Sequence, residues 1–194
     1  MIRTAIVLLL LLQLPTGSQT VPYFITDGKG VAGYDAGDRE LATFALDAWS
    51  RESGGRLKFT PAKAESEALL IVRWVAADQG LFGEMQRITV GGKQGAAVFI
   101  SPGVSSMGEP FASRVARDRL FRDTIVYLTC VHETGHALGL QHTSNFEDIM
   151  YYFGYGGDLG AYFQRYRDRL QSRADIPKFS GVSASDIAVL KSLH

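Results

Sequence analysis

The chain has 194 residues, 46% of them hydrophobic and 21% charged, with 20 basic and 20 acidic side chains and no formal net charge. A length of this order builds one domain with a sizeable core. Balanced charge argues against nucleic acid or an anionic membrane as partner, and a lone cysteine, Cys130, excludes an intrachain disulfide.

The opening MIRTAIVLLLLLQLPTGSQT sets one Arg before an apolar run from Ala5 to Leu14, followed by Pro15 and small polar residues. This is the order of a secretory signal peptide, and the apolar run is shorter than the roughly 20 residues a membrane span needs. Residues 1–20 are therefore expected to be removed on export, with cleavage near Ser18 or Thr20. Residues 21–194 then form a single secreted or periplasmic domain, monomeric and not stably held at a membrane.

VPYFIT (21–26) is expected to be a first strand. From Asp38 to Arg51, Leu41, Phe44, Ala45, Ala48 and Trp49 fall on one helical face, and Ser53-Gly54-Gly55 ends the helix. RLKFT (56–60) alternates like a strand, and ALLIVRWV (68–75) is a continuous apolar run typical of a buried strand. RITV (87–90) and AAVFIS (96–101) are short strands in a glycine-punctuated section. The β-α-β-β-β-β order predicts an α/β (α+β) fold with a mixed sheet. Helical spacing returns from Leu120 to Leu138, with Gly139 as its natural end. The stretch 158–173 is predicted to be a helix with Leu159, Tyr162, Phe163, Tyr166 and Leu170 on one face. Its arginines, Arg165, Arg167 and Arg169, and Arg173 beyond, are expected to be a solvated face. Ser183 and Asp186 have the form of a capping box for a last helix that buries Ile187, Leu190 and Leu193. Cys130, in an apolar helix, is expected to be a small buried hydrophobe.

Three of the four histidines lie in TCVHETGHALGLQHT (129–143). Residues four apart share a helix face, so His132 and His136 can aim two imidazoles at one ion. Gly139 can turn the chain sharply and return His142 as a third nitrogen ligand. Three imidazoles with one open position describe a catalytic zinc site, since a structural site is closed by a fourth protein ligand. Glu133 projects to the edge of that site. It is badly placed to be a ligand and well placed to meet a metal-bound water. His194 has no such context and is expected to be solvated.

His132-Glu133-Thr134-Gly135-His136-Ala137-Leu138-Gly139-Leu140-Gln141-His142 resembles the zinc signature of the metzincin metallopeptidases. Met150 stands where that clan has its Met-turn, and Thr143 after the third His is similar to the matrixin branch (peptidase family M10). FALDAWS (44–50), RLKFT, ALLIVRW (68–74) and SASDIAVLKSL (183–193) also look matrixin-like. The resemblance implies a twisted mixed sheet, an active-site helix, a Met-turn and C-terminal helices. It implies a zinc-dependent endopeptidase acting on protein or peptide substrates, with one catalytic zinc on His132, His136 and His142 and Glu133 as general base. It also implies that Leu128 and part of 151–176 line a selectivity pocket. Peptide substrate would add a strand to a sheet edge, for which AAVFIS is the candidate.

Three features depart from the matrixin pattern. No Cys precedes Cys130, so latency through a cysteine-bearing pro-segment is not expected. No His precedes His132, so a second, structural zinc on upstream histidines is not expected. A long segment, Tyr152 to Gly181, follows the Met-turn in place of a short one. Calcium is left open on Asp27 and Asp78. Tyr152 stands two after Met150, where other metzincin branches carry a Tyr that reaches the metal or the transition state. Packing of Tyr151 and Tyr152 is the plainer expectation. The alternative to a peptidase is an inactive zinc-binding module used for binding or adhesion.

Overall fold

A computed structural model describes residues 18–77 and 82–194. The apolar run expected to be a signal segment, and Asp78, lie outside the described residues. Among the described residues no helix is long and apolar enough to cross a membrane.

Five strands form one sheet in the order β2-β1-β3-β5-β4. They are β1 (Gln19–Ile25), β2 (Leu57–Pro61), β3 (Leu70–Trp74), β4 (Gly83–Val90) and β5 (Lys93–Ile100). β1 runs parallel to both β2 and β3, and β3 parallel to β5. β4 alone is antiparallel, paired with β5 from Gly83↔Ile100 to Val90↔Lys93. The turn between them is Gly91-Gly92, with φ of 56° and 77°. Two consecutive positive-φ residues make the hairpin turn whose twist matches the strands, and glycine enters it without a Cβ penalty. The hairpin corrects one expectation. All of AAVFIS but Ser101 lies inside β5, which β3 and β4 cover on either side, so the edge of the described sheet next to α3 belongs to β4, and β2 forms the other edge. β4 also starts at Gly83, ahead of the expected RITV.

Helices α1 (Asp38–Glu52) and α3 (Arg119–Ala137) pack against each other, and α3 lies across β4 and β5. Of the predicted face of α1, Leu41, Ala45, Ala48 and Trp49 are buried and Phe44 is half-buried. The Trp49 indole N–H donates to the Val131 carbonyl at 2.9 Å and joins the two helices. Asp118 caps α3 by accepting the Phe121 N–H at 3.0 Å. A short helix, α2 (Phe111–Arg117), precedes it, where no element is expected from sequence. Cys130 is buried as expected, and burial pushes its thiol pKa up.

The C-terminal part holds α4 (Leu159–Arg167) and α5 (Ala184–Leu193). α4 is shorter than the predicted helix. Past it, side chains take over the backbone groups: Arg167 donates to the Leu170 carbonyl at 2.9 Å, and Asp175 accepts the Gln171 and Ser172 N–H groups at 3.0 and 2.8 Å. Such local bonds compete with helix continuation, and a 3-10 segment, Arg173–Lys178, follows. The Ser183/Asp186 capping box of α5 is present. Leu190 is fully buried, Ile187 half-buried and Leu193 exposed, because only one stripe of this short helix meets the domain.

The arginine cluster is not a solvated face. Arg167 pairs with Asp118 at 2.9 Å, and Arg173 reaches Asp123 at 2.5 Å and Glu40 at 3.2 Å. The Arg169 guanidinium stacks on Phe179. The Arg167 and Arg173 pairs fasten the segment after the Met-turn to α1 and α3. Beneath them Arg122 is buried, with its guanidinium on Asp38 and on the Gly33 carbonyl at 2.7 Å.

Candidate active site

α3 carries His132, Glu133 and His136, and it ends where Gly139 adopts φ +102°. That conformation suits glycine. The turn sends Leu140 back so that its N–H reaches the Gly135 carbonyl at 3.0 Å. The chain then brings His142 over the helix. Thr143 pairs with the Met-turn strand: its N–H donates to the Met150 carbonyl at 2.8 Å, and its carbonyl accepts the Tyr152 N–H at 3.0 Å.

The three imidazoles meet. One nitrogen from each of His132, His136 and His142 lies within 4.8 Å of the others. His132 Nδ1 lies 2.6 Å from the Ile149 carbonyl, and His136 Nδ1 lies 2.9 Å from the Leu140 carbonyl. A carbonyl only accepts, so both Nδ1 atoms carry the proton and both Nε2 atoms present lone pairs. His142 Nε2 stands 3.3 Å from His132 Nε2 and 3.1 Å from His136 Nε2. One proton cannot satisfy both approaches, whereas a cation among the three lone pairs does. Tetrahedral zinc with N ligands at about 2.0–2.1 Å separates its nitrogens by roughly 3.3 Å. The donor set therefore fits zinc. Burial is the main cause that lowers the pKa of His132, to about 4, and also that of His142, and both are neutral and ready to ligate at pH 7.

Glu133 is buried, and burial raises its pKa to about 7, with the Glu84 carboxylate adding to the effect. Its side chain lies against Gly83 at the start of the edge strand. A Cβ built on Gly83 would come within 2.5 Å of Glu133 Cγ and 2.7 Å of Oε1. Met150 is fully buried, and a Cβ on Gly135 would come within 2.5 Å of its sulfur and 3.0 Å of the Trp49 ring. Gly135 thus lets the Met-turn lie close beneath the helix that bears the histidines.

The imidazoles open into a cleft of about 440 Å³ between the β4 edge and the segment after Met150. Leu128 lines it together with Phe153, Tyr162 and Phe163. Tyr151 is buried, with its hydroxyl donating to the Gly156 carbonyl at 3.1 Å. Tyr152 also lines the cleft. It is 47% exposed and stacks on the His142 ring, with centroids 4.8 Å apart. The ring folds back over Gly154, where a Cβ would lie 2.1 Å from Tyr152 Cε1. His194 is exposed and not part of the triad, with Nε2 3.0 Å from the Leu138 carbonyl. Asp27 sits in an exposed turn, accepting the Lys29 N–H at 3.0 Å. Sequence reasoning misses the roles of Gly83 and Gly135. Both stand in glycine-rich or motif-internal stretches, and nothing in their local pattern tells which distant side chain they admit.

Comparison with known proteins agrees with this geometry. The matrixin (peptidase M10) family profile matches residues 18–158. The fold is similar to that of archaemetzincin from Methanopyrus kandleri, with a TM-score of 0.51 over 94% of this chain and 98% of that one, at 13% identity. No curated protein matches the chain. With the profile covering well over half of its length, the chain belongs to the matrixin family of zinc metallopeptidases.

Proposed function

We propose that the protein is an exported zinc endopeptidase that cleaves extended peptide segments laid along the β4 edge. The observation that carries this reading is the convergence of three imidazole nitrogens beside the buried Glu133 carboxylate, at the mouth of an apolar cleft. His132, His136 and His142 hold the metal, and Met150 supports them from below. When bound, zinc supplies a Lewis acid that acidifies water and polarises a carbonyl. Glu133 takes a proton from the attacking water and delivers it to the leaving amine, work that contributes about 10²–10⁴ in rate.

The substrate pairs with the unpartnered edge of β4 through main-chain hydrogen bonds, which are tolerant of sequence. Selectivity then rests on the pocket bounded by Leu128, Tyr162 and Phe163, which suits a large apolar residue just after the scissile bond. For export, cleavage after Ser18 would leave β1 whole, whereas cleavage after Thr20 would remove its first two residues.

The test is hydrolysis of denatured casein or gelatin by purified protein. Activity is expected, abolished by a chelator and restored by zinc. Glu133→Ala should retain one zinc and lose nearly all turnover, and His136→Ala should lose the metal. A zinc-loaded protein that cleaves nothing would favour the inactive binding module.

A further inference from the structure

The segment between the Met-turn and α5 lies mostly beyond the matrixin match, which ends at residue 158, and α4 within it reaches the metal site through one hydroxyl. Tyr162 is buried; its hydroxyl donates to the Asp148 carbonyl at 2.8 Å and lies 3.4 Å from the Ile149 carbonyl. The Ile149 carbonyl is the same atom that accepts from His132 Nδ1 at 2.6 Å. The Tyr162 hydroxyl has one proton, given to the Asp148 carbonyl and shared at longer reach with the Ile149 carbonyl, whose two lone pairs can take it beside the His132 N–H. Ile149 is also held at its other end, where its N–H donates to Asp186 of α5 at 2.8 Å. Behind Tyr162, the Arg165 guanidinium lies 4.2 Å from the ring centroid. Arg165 donates to the Phe146 carbonyl at 2.7 Å and to the Glu147 carbonyl at 3.2 Å, which ties α4 to the loop that leads into the Met-turn.

We propose that Tyr162 is a positioning residue for the metal: its hydroxyl fixes the Asp148 and Ile149 carbonyls and so sets the orientation and basicity of the His132 ring. The segment after the Met-turn therefore does more than wall the cleft. A ligating imidazole takes its tautomer and its direction from the acceptor of its other N–H, and loss of such an outer partner costs about 10–100-fold in metal affinity. Tyr162 acts one bond further out, so its effect sits at the low end of that range. The inference rests on the reading of His132 as a zinc ligand.

Tyr162→Phe keeps the ring in the cleft wall and removes only the hydroxyl. Tyr166→Phe is the control. The Tyr166 hydroxyl is carried by the same helix and is also partnered, by the Phe179 and Ile176 carbonyls at 2.7 and 3.1 Å, but it touches nothing in the Met-turn. The readouts are zinc affinity by chelator competition and the visible absorption of the cobalt-substituted protein. Expected are about 10-fold weaker zinc binding and a shifted cobalt spectrum in Tyr162→Phe, with both unchanged in Tyr166→Phe even though each variant melts lower. Wild-type affinity and an identical cobalt spectrum in Tyr162→Phe would overturn the proposal. So would equal weakening in both variants, which would mean general loosening of α4. Should Tyr162→Phe fail to fold, Arg165→Lys removes the guanidinium plane behind the ring. It is expected to move the cobalt spectrum in the same direction, and an unmoved spectrum refutes the coupling. A wild-type protein that takes up neither zinc nor cobalt defeats the ligand assignment itself, a failure distinct from that of Tyr162.

Discussion

Gly83→Ala tests Glu133, the proposed general base, at a single atom. The added methyl would sit 2.5 Å from Glu133 Cγ, 2.7 Å from Oε1 and 2.9 Å from Cδ. Carbon contacts relax to about 3.5–4.0 Å, so the carboxylate must retreat by about 1 Å. The methyl meets Glu133 at Cγ as well as at the carboxylate, so the buried side chain must shift from its stem while Gly83 stays paired with Ile100. A catalytic group misplaced by 1 Å can cost about 10²-fold. kcat/KM should therefore fall by about 10², carried by kcat, with one zinc retained. Stability should fall, because displacing a buried side chain by overpacking costs about 1–3 kcal/mol, less about 0.4–1 kcal/mol that Ala regains by restricting the unfolded chain. Steady-state kinetics on a peptide substrate, metal analysis and a thermal melt read the three quantities. The loss should also vanish in a Glu133→Gln background, since interacting residues are not additive. Wild-type kcat/KM in Gly83→Ala, or an undiminished further loss in that background, would refute the reasoning.

Other perturbations test the frame around the site. Gly135→Ala drives a methyl to 2.5 Å from the Met150 sulfur and 3.0 Å from the Trp49 ring. Overpacking of this kind costs about 1–3 kcal/mol, read as a lowered melting temperature together with weakened zinc binding. Arg122→Met strands the fully buried Asp38 carboxylate and is expected to cost about 3–5 kcal/mol in denaturant unfolding, with partial recovery in the double variant with Asp38→Asn. Ser185→Ala tests acid stability. Burial favours a raised Asp148 pKa, but hydrogen bonds from Ser185 and Ser183 outweigh it and hold the carboxyl below its usual 3.8. A folded pKa below the unfolded value gives stability that is present above about pH 3.9 and lost as pH falls through the folded pKa. Removing one donor raises the folded pKa, so acid unfolding should begin at higher pH than in wild type. Comparison with wild type cancels the opposite contribution of Asp186, whose carboxyl burial raises. An unchanged acid midpoint would show that the Ser185 hydroxyl does not hold Asp148.

What was legible in the sequence is what rests on near neighbours. His132 and His136 share a face because a helix repeats every 3.6 residues, and Gly139 leaves it because only glycine takes φ +102° cheaply. The α1 face, the end of α3 and the Ser183/Asp186 cap follow from the same short-range rules. Those rules fail where partners are distant. β5 has the apolar run of an edge or an interior strand alike, and only the Gly91-Gly92 hairpin, by folding β4 along it, makes β5 interior and β4 the edge on that side. The arginines around α4 read as a solvated face until Asp118, Asp123 and Glu40 arrive from other elements. Spacing alone thus determined which side chains could gather around an ion. Tertiary closure decided which carbonyls orient them, which glycine makes room for Glu133 and which strand stands at the sheet edge beside the cleft, because each of those contacts joins residues that only the folded chain brings together.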